Sequence, residues 1–205
     1  MDNKYCYPGT DILKNLPNIQ DEQQLERFEN IYSAKRLVEL YKKPIEGKFD
    51  LKHLQKIHGY IFQDVYPFAG KPRTINIEKG TTKFCSAAYI EEQSKEIFGK
   101  LKAENYLKGL NKEEFVERFA YYMSEVNMIH PFREGNGRAT REFMRVIAKN
   151  AGHEIQWHRL EPKKLLEVTI KSVLDTKELA NYLTKAIDPP EVPGIAKQKS
   201  NLLER

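Results

Sequence analysis

The sequence predicts an all-α bundle that carries one small β-hairpin. Apolar residues recur at helical spacing through most of the chain, prolines and glycines interrupt them at helix-length intervals, and one short stretch alternates apolar with polar residues. A chain of 205 residues can enclose one well-buried core. Its 40% hydrophobic content, with 11 tyrosines and 10 phenylalanines, can fill that core, and the 31% of charged residues mix both signs too evenly for disorder.

In Asp21–Tyr41 the residues Leu25, Phe28, Tyr32, Leu37 and Leu40 recur at helical spacing, and Pro44 and Gly47 end the segment. Asp50 is placed to cap a second helix, whose apolar face is Leu51, Leu54, Ile57, Ile61 and Phe62. Pro67, Gly70 and Pro72 in YPFAGKPR cannot continue it. Thr74–Phe84 then alternates Ile75 and Ile77 with polar neighbours and turns at Lys79-Gly80, which predicts a hairpin. A lone two-stranded hairpin is marginally stable, so this one must be well packed or useful.

Helix is expected again over Tyr89–Leu107 and after Asn111. Asn111 and Glu114 have the spacing of a capping box, and Phe115, Phe119, Tyr122, Val126 and Ile129 mark one face of a central helix. Another helix should run from about Arg138 to Asn150, with Phe143, Val146 and Ile147 inward and Gly152 just beyond its end. Two shorter helices are expected in 162–187. The expected organisation is one domain over 1–187 and a proline-rich, polar tail over 188–205.

Several function classes lack their signals. No stretch approaches the roughly 20 consecutive apolar residues of a membrane span, and the first residues are too polar for a secretory signal, so a cytoplasmic location is expected. Cys6 and Cys85 lack metal or redox spacing and are expected to be free thiols. The net charge of +5 would suit nucleic acid, but the basic residues are interspersed with acids, apart from arginines 133, 138, 141 and 145. No GxxxxGK(S/T) run exists, and His53 and His58 are five apart rather than the four that zinc-binding helices favour, so both read as structural.

The chemistry concentrates in His130-Pro131-Phe132-Arg133-Glu134-Gly135-Asn136-Gly137-Arg138-Ala139-Thr140-Arg141, between the two strongest helices. Pro131 biases His130 away from helical dihedrals, so that the imidazole is presented at the end of the preceding helix. Phe132 anchors the turn in the core. Gly135-Asn136-Gly137 can bend freely and places its N–H groups at the start of the next helix, where the dipole favours anions, making a phosphate cradle. Arg138 and Arg141 share a helix face and can hold further phosphate oxygens. Glu134 is the hard oxygen ligand that Mg²⁺ prefers when it also bridges phosphates. A lone histidine, an arginine stripe or glycines between helices are each usually structural. Their co-occurrence within twelve residues is more than a connecting loop requires.

HPFREGNGRATR matches the signature HPFx(D/N/E)GNGRxxR without a gap, and through it the chain resembles the Fic family. The resemblance extends to YPGTDILKN, to GKFDLKHLQKIHGYIFQDVYPFAGKPR and to the hairpin, and so covers roughly residues 5–187. It implies a Fic-type helical bundle whose hairpin, the flap, aligns a target segment by strand addition beside the active site, here through Ile75, Asn76, Ile77, Lys79 and Phe84. It implies a protein adenylyltransferase that uses ATP and Mg²⁺ to place AMP on a Tyr, Thr or Ser hydroxyl of a target protein or of itself. His130 would be the general base, a role suited to a group that titrates near neutral pH. Glu134 would hold Mg²⁺ against the α- and β-phosphates. The amides of Gly135, Asn136 and Gly137 with Arg138 would cradle the leaving pyrophosphate, and Arg141 would hold the γ-phosphate. Asn127, one turn before His130, and Gly80 in the flap are further nucleotide-side positions.

Two other readings accompany this one. The Doc branch of the family transfers the γ-phosphate as a kinase, with lysine where this chain has Gly137, and glycine leaves the cradle open for AMP transfer. A non-catalytic module would use the arginine cluster against nucleic acid, but a degraded scaffold would be expected to lose His130 or Glu134, and both are present. Fic enzymes are commonly restrained by a helix bearing (S/T)xxxE(G/N), whose glutamate pairs with the second motif arginine, here Arg141. Ser200 and Glu204 match in part, with Arg205 in place of the glycine or asparagine. The alternative is a small separate antitoxin that supplies the glutamate in trans, and it is the expected one. Whether the chain is a toxin, the catalytic domain of a secreted effector or a self-modifying enzyme does not follow from these residues.

Overall fold

Side-chain caps start the helices where the local sequence offers them. In the computed structural model, which describes residues 4–80 and 82–188, the Asp21 carboxylate accepts from the Gln24 amide at 2.8 Å and opens α1 (Glu22–Lys42). Asp50 accepts from the His53 amide at 2.8 Å and opens α2 (Leu51–Phe62). The flap is β1 (Glu78–Lys79) antiparallel to β2 (Thr82–Lys83), and α3 (Ile90–Ala103) follows. Asn111 and Glu114 exchange backbone-to-side-chain bonds of 3.3 and 3.0 Å at the start of α4 (Lys112–Ile129). Then come α5 (Asn136–Asn150), β3 (Glu154–Ile155), α6 (Pro162–Lys171), α7 (Lys177–Leu183) and β4 (Ile187–Asp188), with β3 and β4 antiparallel. Seven α-helices and two minimal two-stranded sheets among the described residues bear out the all-α class.

Four local expectations are corrected. The helix after the flap stops at Ala103 instead of Leu107, because Asn105, Tyr106 and Leu107 adopt left-handed backbone (φ 52°, 55° and 64°), which no right-handed helix contains. α5 starts at Asn136 rather than Arg138, so Gly137 is helical. In the flap, Glu78 pairs with Lys83 and Lys79 with Thr82, so Lys79 is in the ladder rather than in the turn, which Gly80 begins. Ile75 and Ile77 lie outside the strands, and the Ile75 carbonyl is taken by the Arg73 guanidinium at 2.7 Å. On α1 the buried positions are Leu25, Glu29, Ser33 and Leu40, while Phe28, Tyr32 and Leu37 are half-buried.

The chain divides into two compact units. One comprises the residues up to Gly99 together with Val126–Phe143. Its core includes Ile57, Ile61, Phe62, Val65, Phe132 and Phe143, all without solvent exposure, each contributing roughly 1.5–3 kcal/mol by burial. The other comprises Lys100–Glu125 and the chain from Met144 onward. It buries Phe115, Phe119, Ile147, Leu179 and Leu183, and stacks Phe115 on the His153 ring at 3.8 Å. Cys6 and Cys85 are free thiols. No helix among the described residues is long and apolar enough to cross a membrane. Of the expected tail only Asp188 is described, in β4; Ser200 and Glu204 lie outside the described residues.

Candidate active site

The candidate residues from Asn127 to Arg141, and the flap, belong to the first unit. α4 ends at Ile129, and the His130 amide still reaches the Val126 carbonyl at 3.3 Å. His130 itself takes φ +45°, a left-handed conformation in place of the extended one that Pro131 led us to expect. Two contacts hold it there: Nδ1 bonds the Asn127 carbonyl at 3.0 Å, and the His130 carbonyl accepts from Arg73 Nε at 2.8 Å. Since a carbonyl only accepts, Nδ1 carries the proton and Nε2 keeps its lone pair. Asn127 thus contributes backbone to the orientation of the ring. Phe84 of the flap stacks on the imidazole, centroids 3.7 Å apart and planes at 21°. Burial, with the charges of Arg73 and Lys79, pushes the His130 pKa down to about 4 against the effect of the Asn127 bond. The near-neutral titration expected for the base is therefore corrected: at pH 7 the ring is fully in its basic form.

The loop after His130 turns its carbonyls into the protein. Pro131 accepts from the Arg73 amide at 2.7 Å. Phe132 is fully buried, and its N–H and carbonyl are both bound by the Asn136 side chain, at 2.9 and 2.8 Å. The Glu134 carbonyl meets His58 Nε2 at 2.9 Å, while the Gly70 amide donates to His58 Nδ1 at 2.8 Å. That second bond fixes the tautomer, so Nε2–H donates to Glu134, and the ring lies on Phe132 at 3.8 Å. Burial pushes the His58 pKa down to about 4. His58 and His53 are structural, as expected; His53 Nε2 bonds the Ile45 carbonyl at 2.8 Å.

Gly135 turns the chain into α5 at φ +78°, where a Cβ would stand 2.2 Å from the Phe62 ring. Its carbonyl accepts the first helical bond, from Ala139 at 3.1 Å. The amides of Asn136, Gly137 and Arg138 consequently have no intrahelical acceptor and face an incoming anion. The Gly135 amide is occupied by the Glu134 carboxylate at 2.8 Å. The free set is thus 136–138 rather than the expected 135–137, because Glu134 occupies the Gly135 amide and the first helical bond comes only from Ala139.

The charges divide into paired and unpaired. Arg138 pairs with Glu29 of α1 and bonds Ser33 Oγ at 3.1 Å, and the other Glu29 oxygen accepts from the Tyr66 hydroxyl. Glu134 stands 3.7 Å from Arg138, and its side chain remains 45% exposed. Arg141 has no carboxylate partner among the described residues. Its guanidinium lies 3.4 Å from where a Cβ on Gly137 would sit, beside the start of α5. Burial and the like charge of Arg138 lower its pKa below the ordinary value. Arg133 Nε is also buried without a partner, and Arg145 is buried.

In the flap, the Asn76 side chain accepts from the Ala87 amide at 2.8 Å, the Phe84 amide donates to Ile77 at 3.4 Å, and Lys79 and Gly80 are exposed, Gly80 in the turn at φ +59°. Glu29, Ser33, Tyr66, His58 and Arg73 were not singled out by sequence reasoning as functional, since none stands in a motif with chemical spacing. The one clue was a pair of polar residues on the inward face of α1. Among the described residues no three metal-ligating side chains cluster, so a divalent ion here would depend on Glu134 and on phosphate oxygens. A single exposed carboxylate beside an anion cradle suits Mg²⁺ bound in that way.

Free helix-start amides, an arginine without a carboxylate partner among the described residues, one half-exposed carboxylate and an imidazole with an open Nε2 together suit the binding of a phosphate-containing group beside a base. The chain belongs to the Fic/DOC family, whose sequence pattern matches residues 48–148. It is 41% identical over 181 residues to the protein adenylyltransferase VbhT of Bartonella schoenbuchensis, covering 88% of this chain but 38% of that protein. It is 38% identical over 173 residues to the probable protein adenylyltransferase y4lH of Sinorhizobium fredii, covering 84% of this chain and 88% of that one. Among solved structures it is similar to BepC, a VirB-translocated effector of Bartonella tribocorum with bound AMPPNP, with a TM-score of 0.86, 26% identity, and 91% and 97% of the two chains covered.

Proposed function

We infer that this chain transfers AMP from ATP to a hydroxyl side chain of a protein. The observation that carries the reading is the pairing of an unprotonated His130 Nε2 with an anion cradle of three free amides and a partnerless Arg141. Relatives at 38–41% identity bear the name protein adenylyltransferase, which supports the same reaction.

The hydroxyl gives its proton to His130 Nε2 as its oxygen forms a bond to the α-phosphorus. The bond from that phosphorus to the bridging oxygen breaks, and pyrophosphate leaves with the electron pair. The amides of 136–138 and Arg138 receive its negative charge, and Arg141 holds the γ-phosphate. When bound, Mg²⁺ held by Glu134 would add positive charge at the phosphates. The ring is oriented for its task by the Asn127 carbonyl, and Phe84 shields it from water until a target segment adds to the flap through residues 75–79. Gly137 is exposed, and a side chain there would meet the Arg141 guanidinium, which favours AMP transfer over the γ-phosphate transfer of the Doc branch.

A cytoplasm, that of its own cell or of one into which it is delivered, supplies both the ATP and the protein hydroxyls that this reaction uses. A restraining glutamate would act at Arg141, supplied by a small antitoxin chain or by Glu204. The test is labelled ATP in a lysate. Label from α-labelled ATP should become covalently attached to protein and label from γ-labelled ATP should not; the reverse pattern would make the chain a kinase.

A further inference from the structure

Arg73 is 2% exposed and has no carboxylate partner among the described residues. Its guanidinium is spent wholly on carbonyl groups: Nε on His130 at 2.8 Å, Nη1 on Ile75 at 2.7 Å, and Nη2 on Cys85 and, at 3.4 Å, on Ile129. Ile129 ends α4 and His130 follows it, where the helix dipole is negative and welcomes a cation. Ile75 and Cys85 are the two stems of the flap, just outside β1 and β2. The junction is completed by the Arg73 amide on Pro131, by the Cys85 amide on Met128 at 3.0 Å, and by Asn76 bridging to the Ala87 amide.

One planar group therefore ties the end of the base-bearing helix to both sides of the flap. We infer that Arg73 is a positioning residue for the transfer: its guanidinium fork fixes the placement of the His130 imidazole relative to the strand edge that presents the hydroxyl. This rests on the reading of His130 as base and of the flap as docking edge. A lysine cannot substitute, because three donors on one nitrogen do not span carbonyls on separate segments. Nor is the arrangement a generic core contact. A buried cation is costly without a counter-ion, and the same space could be filled by an apolar side chain.

The experiment compares the wild-type chain with Arg73→Lys and Arg73→Gln. It reads attachment of label from α-labelled ATP to lysate proteins, ATP affinity by calorimetry, and alkylation by iodoacetamide resolved by peptide. Cys85 lies half-buried at the flap stem, whereas Cys6 is buried in the N-terminal arm, where it pairs with Leu13, so the two thiols separate release of the flap stem from loosening that reaches the arm. Attachment should fall roughly a hundredfold, as expected when reacting groups shift by about 1 Å. ATP affinity should change by no more than about threefold, and Cys85 should alkylate about tenfold faster while Cys6 does not. Transfer at the wild-type rate would overturn the inference. So would equal acceleration at both thiols, or failure of both variants to fold, since Arg73 would then be a core residue only. If the wild-type chain attaches no label, the reading of the function fails, and selective release of Cys85 still decides whether Arg73 holds the flap.

Discussion

Replacing Gly135 by alanine tests the turn that aims the cradle amides. The new methyl group meets two separate obstacles. At φ +78° a residue with a Cβ is strained by about 1–2 kcal/mol. The methyl would also stand 2.2 and 2.3 Å from two atoms of the Phe62 ring, and such overpacking in a filled core costs about 1–3 kcal/mol. Phe62 has no solvent exposure and lies under the Arg138 guanidinium, 4.8 Å from its ring centroid, so it cannot swing aside freely. The sum, roughly 2–5 kcal/mol, is a large part of the stability of a typical domain. The assay is a double-mutant cycle with Phe62→Ala, followed by urea unfolding. Phe62→Ala alone should cost about 3–5 kcal/mol through its cavity. In the pair, the methyl enters that cavity, so the combined loss should fall short of the sum by about 1–3 kcal/mol, leaving the dihedral strain in place. Additivity within about 0.5 kcal/mol would refute the contact with Phe62 as a cause. ATP affinity should fall in Gly135→Ala and recover in part in the pair.

Three further predictions concern the histidines. His130→Ala should abolish transfer and leave ATP affinity largely intact, because the base acts on the target hydroxyl; transfer at the wild-type rate would show the assignment of the base to be wrong. With the His130 pKa near 4, the base form persists far below neutrality, so the rate should hold to about pH 5 and be lost below about pH 4; an acid limb centred near 6.5 would contradict the buried, Phe84-covered ring. For His58 the folded pKa of about 4 lies below the unfolded value of 6.5, so the unfolded chain binds more protons between these pH values. The stability it contributes is present above pH 6.5 and is lost as pH falls toward 4, by roughly 3 kcal/mol in full. His58→Gln should unfold with a shallower pH dependence over that window, and identical slopes would count against it.

The fold was legible in the sequence where the cause is local. A cap acts across three residues, so Asp50 and the Asn111–Glu114 box could be read directly, and each starts a helix. The candidate site was legible for the same reason: His130, Glu134 and Arg141 follow one another within twelve residues of chain, from just past the end of α4 into the first turns of α5. Where the ends of elements were misjudged, the cause was a backbone conformation that no periodicity records, as at Asn105–Leu107 and His130.

Tertiary structure alone decided the rest. The Arg138 pair with Glu29 joins residues 109 apart in sequence, the His58 bond to Glu134 joins residues 76 apart, and the Arg73 bond to His130 joins residues 57 apart. No spacing rule links such positions, because what selects them is the desolvation of a buried charge or carbonyl, which takes whatever partner the packed chain brings within reach. Sequence thus determined which groups the site contains. Packing determined that Arg138 is paired while Arg141 has no carboxylate partner among the described residues, and that burial under Phe84 keeps the His130 imidazole neutral.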